Sequence, residues 1–254
     1  MRPFDQLPFP SNRRFVLAAM RSGRRMALMT GLVKVDVTAA WNIIDRDGLS
    51  PAAFFAACIG RAVAEHPEVH AYRDWAGRLV QHRHVDITTI VEVGTATGSF
   101  PLAYPLVDCD SRSVSNLTTE LRAVKSRPKT GASGRLLVRW GGRAGRVPFL
   151  ADLFYFVARR SVRARSRMGT VTLSSLGPMT GGSGFLVGVP TIASITVVIG
   201  GATEQPWVVD GELAVRRVAD LVIQIDHRVV DGAPAARFGA RLRELLESPE
   251  LIDW

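Results

Sequence analysis

The chain has 254 residues, 47% apolar and 22% charged, which is enough to bury one large core and excludes a disordered polymer. Its two cysteines, Cys58 and Cys109, supply neither a disulfide framework nor a metal-binding spacing, so a reducing, cytoplasmic protein is expected. The formal charge of +9 would attract anions, but no zinc-finger spacing, RNP-like aromatic string or recognition helix accompanies it, and nucleic acid is not expected as a partner.

Residues 1–11, with Pro3, Pro8 and Pro10, read as an extended arm, and no apolar run of signal-peptide length is present. Asn12 to Met29 mixes five arginines with Phe15, Val16, Leu17, Met20 and Met26, giving a short basic surface helix or a partner-binding arm. Leu32 to Val37 alternates as a strand. Ser50-Pro51 opens a helix whose apolar side is Phe54, Phe55, Cys58, Ile59, Ala62 and Val63, and Pro67 ends it. Gly77 to Gln81 and Val85 to Val93 read as strands. His66, His70, His82 and His84 are too loosely spaced for a metal site and are read as structural, so no metal is expected.

Phe100 to Cys109 is apolar and proline-punctuated; Ser111 or Ser113 then caps a helix with the stripe Val114, Leu117, Leu121 and Val124. Residues 127–168 form a variable basic and apolar insertion. Within it Lys129 to Arg146 reads as loop or short helix, and Pro148 to Arg160 as an apolar helix running into Arg163, Arg165 and Arg167. That helix could be a core helix with a basic tail, a membrane-surface anchor or a site for an acidic partner. Gly184 to Ala202 carries no charge, but Pro190 and its β-branched residues favour one or two buried strands over a membrane span. Trp207 to Leu213 reads as a hairpin around Asp210-Gly211, and Val215 to Asp226 as a strand. With no internal repeat and no long linker, residues 1–254 are expected to form a single domain.

The strand ending at Asp226 delivers His227 into a loop before an amphipathic helix (Phe238, Leu242, Leu245, Leu246). Imidazole takes and returns a proton near neutral pH. Asp231, four residues on, offers a carboxylate beside the turn at Gly232. On spacing alone a histidine so placed is more often a structural hydrogen-bonding residue than a catalyst, and Asp231 could be no more than the N-cap of the helix, with Pro234 in its first turn.

Asp226-His227-Arg228-Val229-Val230-Asp231-Gly232, followed by Ala235-Ala236-Arg237-Phe238, resembles the signature of the 2-oxoacid dehydrogenase acyltransferase (E2) catalytic domain. Gly169 to Gly177 resembles the same family's Gly-Thr-Phe-Thr-Ile-Ser-Asn-Leu-Gly block. The resemblance implies an α/β (α+β) chloramphenicol acetyltransferase-like fold, a mixed central sheet flanked by helices. It implies a CoA-dependent acyltransferase, using coenzyme A or acyl-CoA as substrate, with His227 as general base and Ser174 as hydrogen-bond donor to the oxyanion. Asp231 would fix the loop through a cation, with Arg228 as its partner, and Ser175 and Gly232 would support the site.

The resemblance also implies a homotrimer, or a larger assembly of trimers, in which one subunit gives the histidine and its neighbour the serine. No lipoyl domain is recognisable, so a free-standing enzyme is expected, with CoA or a separate lipoyl- or acyl-carrier protein bringing the acyl group. The competing expectation is a non-catalytic trimeric scaffold of the same fold.

Overall fold

The computed structural model describes residues 3–6, 9, 11–95, 98–126, 148–176 and 182–254. The segment 129–146, expected as loop or short helix, lies outside them.

The first helix, α1 (Ser11–Gly23), buries Ala18 and Ala19 and leaves Arg13 and Arg21 exposed. Strand β1 (Leu28–Asp36) begins earlier than the alternation suggests, because its ladder with the last strand already starts at Leu28 opposite Asp226. Helix α2 (Thr38–Asp47) was not legible in the sequence. It buries only Ala40 and Ile44, too thin a stripe for a periodicity argument, and ends on Gly48 in the left-handed region at φ 61°. Helix α3 (Pro51–Glu65) starts where Ser50-Pro51 indicates, although the Ser50 hydroxyl makes no cap bond. It is buried from Ala53 to Gly60, and a Cβ on Gly60 would stand 2.5 Å from the Cys109 carbonyl carbon.

A short hairpin, β2 (Tyr72–Arg73) with β3 (Leu79–Val80), replaces the strand expected over 77–81. Strands β4 (Ile87–Thr95) and β5 (Gly98–Leu106) pair antiparallel. Of the two candidate caps for α4 (Val114–Ser126), Ser113 does the work: its Oγ accepts from the Asn116 N–H at 3.2 Å.

The apolar insertion helix, α5 (Pro148–Ala158), is not the core helix with a basic tail that its composition allows. Ala151, Tyr155 and Ala158 face inward, whereas Phe149, Leu150, Leu153, Phe154, Phe156 and Val157 are exposed. The chain then turns at Arg159–Ser161 into α6 (Val162–Met168), with Ser161 as its N-cap, and Arg165 is buried.

Strands β6 (Val171–Ser175), β7 (Ile195–Val209) and β8 (Glu212–Asp226) complete the sheet, and α7 (Gly232–Glu247) follows. The β7–β8 turn places Asp210 at φ 52° and Gly211 at φ 86°, the paired positive φ of a two-residue hairpin. Residues 184–194 are not strand; Phe185, Leu186, Val187 and Val189 in that segment are exposed. Among the described residues no helix is long and apolar enough to cross a membrane.

The six-stranded sheet runs β1-β8-β7-β6-β4-β5, with β4, β6 and β7 parallel neighbours and the other pairs antiparallel. It is thus the mixed sheet flanked by helices that was expected. Alternate residues of the central strands (Leu173, Val197, Ile223, Ile225) point into one core with α3, α4 and α7. The intervening positions, Ser174, Val198 and Val222, belong to the opposite face.

Candidate active site

The last nine residues of β8, Val218 to Asp226, are buried between β1 and β7, so the strand end is rigidly placed. The His227 N–H extends the ladder by one bond, donating to the Ala27 carbonyl at 2.7 Å. The chain then turns over Asp226, whose carbonyl accepts from the N–H groups of Val229 and Val230 at 3.1 and 3.3 Å. Beyond the turn, Phe238, Leu242, Leu245 and Leu246 of α7 lock into the core, each burial contributing about 1.5–3 kcal/mol. The loop is therefore pinned at both ends.

Within it, His227 Nδ1 lies 2.8 Å from the Val230 carbonyl oxygen. A carbonyl only accepts, so Nδ1 carries the proton and Nε2 holds a free lone pair. The side chain is 51% exposed, which leaves Nε2 reachable. The Asp231 carboxylate stands 4.0 Å from Nδ1 and is 92% exposed, so it does not orient the ring.

Two expected relationships are corrected by the geometry. Arg228 does not pair with Asp231; it binds Asp226 through Nε at 2.8 Å and Nη2 at 2.5 Å, and also donates to the Arg25 carbonyl. The two-residue separation lets the guanidinium fold back on the buried carboxylate at the strand end, which raises its own pKa further, chiefly through that hydrogen bond. Gly232 does not supply a tight turn: it opens α7 with ordinary φ, and a Cβ there would meet nothing within 4 Å. Asp231 does occupy the N-cap position, with extended backbone and no side-chain cap bond.

Ser174 and Ser175 close β6 in register with Val198 and Ile199 of β7, both half-buried. Among the described residues neither hydroxyl has a hydrogen-bond partner. Residue Val198 is in turn opposite Val222, five positions before His227. The single chain therefore does not bring Ser174 and His227 together.

A buried polar relay beneath the loop escaped the sequence reading. Arg165 sits over the Tyr72 ring at 4.5 Å and donates to the Ile192 carbonyl and, at 2.7 Å, to Ser194 Oγ. The Ser194 carbonyl accepts from the Asp226 N–H at 3.1 Å. Burial lowers the Arg165 pKa to about 10, against the opposing pull of Tyr72 and Asp226. Nothing in the local sequence separates Arg165 from the exposed Arg163 and Arg167.

His70 is also buried, its Nδ1 2.8 Å from Thr170 Oγ1. The sequence spacing likewise missed a convergence of His84, Asp108 and Asp110, whose possible ligand atoms lie within 4.8 Å of one another on a largely exposed surface.

Comparisons with known proteins agree with this architecture. The fold is chloramphenicol acetyltransferase-like: chloramphenicol acetyltransferase superimposes with a TM-score of 0.54 at 17% identity, over 94% of this chain and 96% of that one. The dihydrolipoamide acetyltransferase of Azotobacter vinelandii superimposes with a TM-score of 0.71 at 21% identity, over 98% and 93%. Residues 161–253 match the family described as 2-oxoacid dehydrogenases acyltransferase (catalytic domain). The lipoamide acyltransferase component of the branched-chain alpha-keto acid dehydrogenase complex of Pseudomonas putida is 29% identical over 98% of this chain and 53% of its own length. Its Pseudomonas aeruginosa counterpart is 40% identical over 44% of this chain and 25% of its own. The chain thus spans about half, or less, of these relatives.

Proposed function

We propose that the protein is an acyltransferase that moves an acyl group between a CoA thioester and a thiol, hydroxyl or amine acceptor. The observation that carries this reading is the His227 tautomer. Its Nδ1–H is held by the Val230 carbonyl, and its Nε2 lone pair is exposed on a loop fixed at both ends. In the proposed reaction Nε2 removes the acceptor proton as the acceptor attacks the thioester carbonyl carbon. The tetrahedral oxyanion collapses, the C–S bond breaks, and the imidazolium returns its proton to the departing thiolate. No covalent acyl-enzyme is required.

Ser174 is the proposed oxyanion donor, contributed by a neighbouring copy. Its separation from His227 within one chain supports this arrangement. So do the exposed apolar side chains of Phe185, Leu186, Val187 and Val189, which a homotrimer would cover. A larger assembly of trimers and an external lipoyl- or acyl-carrier protein remain part of this reading as partners. The test is release of free thiol from a panel of acyl-CoAs with candidate acceptors, alongside sedimentation to establish oligomeric state. Turnover lost in His227→Ala supports the reading; turnover indifferent to that change, or a strictly monomeric active protein, removes it.

A further inference from the structure

We propose that the cleft between the end of α1, the β2–β3 hairpin and the α5–α6 turn is a binding site for a phosphate-bearing small molecule. Its volume is about 420 Å³, within the range of small-ligand pockets. Arg73, Arg159, Arg160 and Arg228 line it, together with Trp75 and the hydroxyl-bearing Thr191 and Ser194. His227 is not among the lining residues.

The charge balance in the cleft is unfilled. Two carboxylates line it, and each already has its own arginine: Asp226 is held by Arg228, and Asp74 by Arg78 at 2.9 Å through Nε. No carboxylate of a described residue lies within ion-pair distance of Arg159 or Arg160. The Arg159 Nε is buried without a hydrogen-bond partner. Burial, and then the neighbouring charges of Arg160, Arg25 and Arg228, lower the Arg159 pKa, so an anion beside this guanidinium would be favourable.

Aromatic rings hold the two guanidiniums in place. Arg159 lies 4.9 Å from the centroid of Phe156 and Arg160 5.5 Å from that of Trp75, and those rings meet edge-on at 5.4 Å. Ordered guanidinium forks suit tetrahedral oxyanions, which accept two parallel N–H bonds from each fork. A dianionic phosphate also offsets more of the mutual repulsion than a single carboxylate does.

Titration calorimetry with inorganic pyrophosphate as probe tests the site independently of any acyl transfer. We expect saturable binding that weakens at least about tenfold in Arg159→Gln/Arg160→Gln, since each lost charge-assisted contact matters on that scale. Arg163→Gln/Arg167→Gln, on the exposed surface of α6, should leave it within about twofold. Circular dichroism of both double variants checks that the fold is kept. Equal weakening in the two variants, or no saturation with the wild type, overturns the proposal.

Competition then identifies the source of the phosphate. Displacement of pyrophosphate by CoA assigns the cleft to the thioester carrier. Displacement by glycerol 3-phosphate but not CoA assigns it to a separate phosphorylated metabolite. Failure of both to compete overturns the assignment.

Discussion

Ser174 and His227 lie on one sheet yet stand apart: Ser174 is level with Val222, two strands over and five positions short of His227. At about 3.3 Å per residue and about 4.8 Å per strand the gap approaches about 19 Å, far beyond a shared tetrahedral intermediate. If both act in one reaction, they come from different copies. Mixing His227→Ala with Ser174→Ala subunits should therefore restore sites that carry both groups. Thiol release by the reassembled mixture should exceed that of either variant alone. A mixture no better than its parts would mean that Ser174 is not the oxyanion donor or that each chain works alone.

The loop geometry separates the roles of His227 and Asp231. Losing a general base typically costs about 10²–10⁴-fold in rate, and His227→Ala should fall in that range in the thiol-release assay. Asp231 is 4.0 Å from the ring and 92% exposed, while the tautomer is already set by Val230. Asp231→Asn should therefore stay within about threefold of wild type, unlike a triad carboxylate, whose amide variant loses about 10⁴-fold. A loss on the triad scale would assign Asp231 the orienting role that the geometry gives to the Val230 carbonyl.

Arg228 should matter for stability through Asp226. Arg228→Met removes two charge-assisted bonds from a carboxylate whose side chain is 9% exposed, a cost of about 1.5–3 kcal/mol. For a chain of this size each kcal/mol shifts Tm by about 2–4 °C, which calorimetry resolves. Adding Asp226→Asn to that variant should cost less than the sum of the single changes, because the unpaired charge is gone. Strict additivity would show that the two side chains do not depend on each other.

Much of this architecture was legible because it rests on short-range rules. The alternation of β8, the Asp210-Gly211 turn, the Ser50-Pro51 helix start and the loop bearing His227 all follow from neighbours in sequence. What was not legible depends on distant pairing. Arg228 chooses Asp226 over Asp231 because one carboxylate is buried at a strand end and the other points into water. Arg165 becomes a buried brace only because 192–194 and Tyr72 fold around it. The apolar face of α5 misled in the opposite sense: hydrophobic composition suggested burial, yet most of those side chains face outward in the single chain. Periodicity shows that a face is apolar and leaves open which molecule covers it.

Gly169, just before β6, should tolerate no side chain. It has φ 72°, and a Cβ there would stand 2.6 Å from the Asp86 carbonyl oxygen, a backbone atom that cannot swing aside. Gly169→Ala combines a left-handed backbone with overpacking and should destabilise by about 1–3 kcal/mol, measurable by urea unfolding. An unchanged midpoint would mean that the β4–β6 junction relaxes freely and that the strand carrying Ser174 is loosely held.

Acid stability should report the buried imidazole of His70. Burial, then the charges of His82 and Arg165, lower its pKa to about 4 from the ordinary 6.5, against smaller opposing effects of the His82 backbone and of Asp110. Its Nδ1 meets the Thr170 hydroxyl, and its Nε2 is buried without a hydrogen-bond partner, so a second proton there would be costly. Between these pKa values the unfolded chain binds a proton that the folded chain does not, and stability therefore falls as pH drops from about 6.5 to about 4. The full gap corresponds to about 3 kcal/mol, and His82, lowered by burial as well, adds in the same direction. His70→Gln keeps a polar group beside Thr170 and cannot titrate. Its urea midpoint should decline less steeply across that window than the wild type's, with the two curves parallel above pH 7. Identical slopes would show that His70 is solvated or charged in the folded protein.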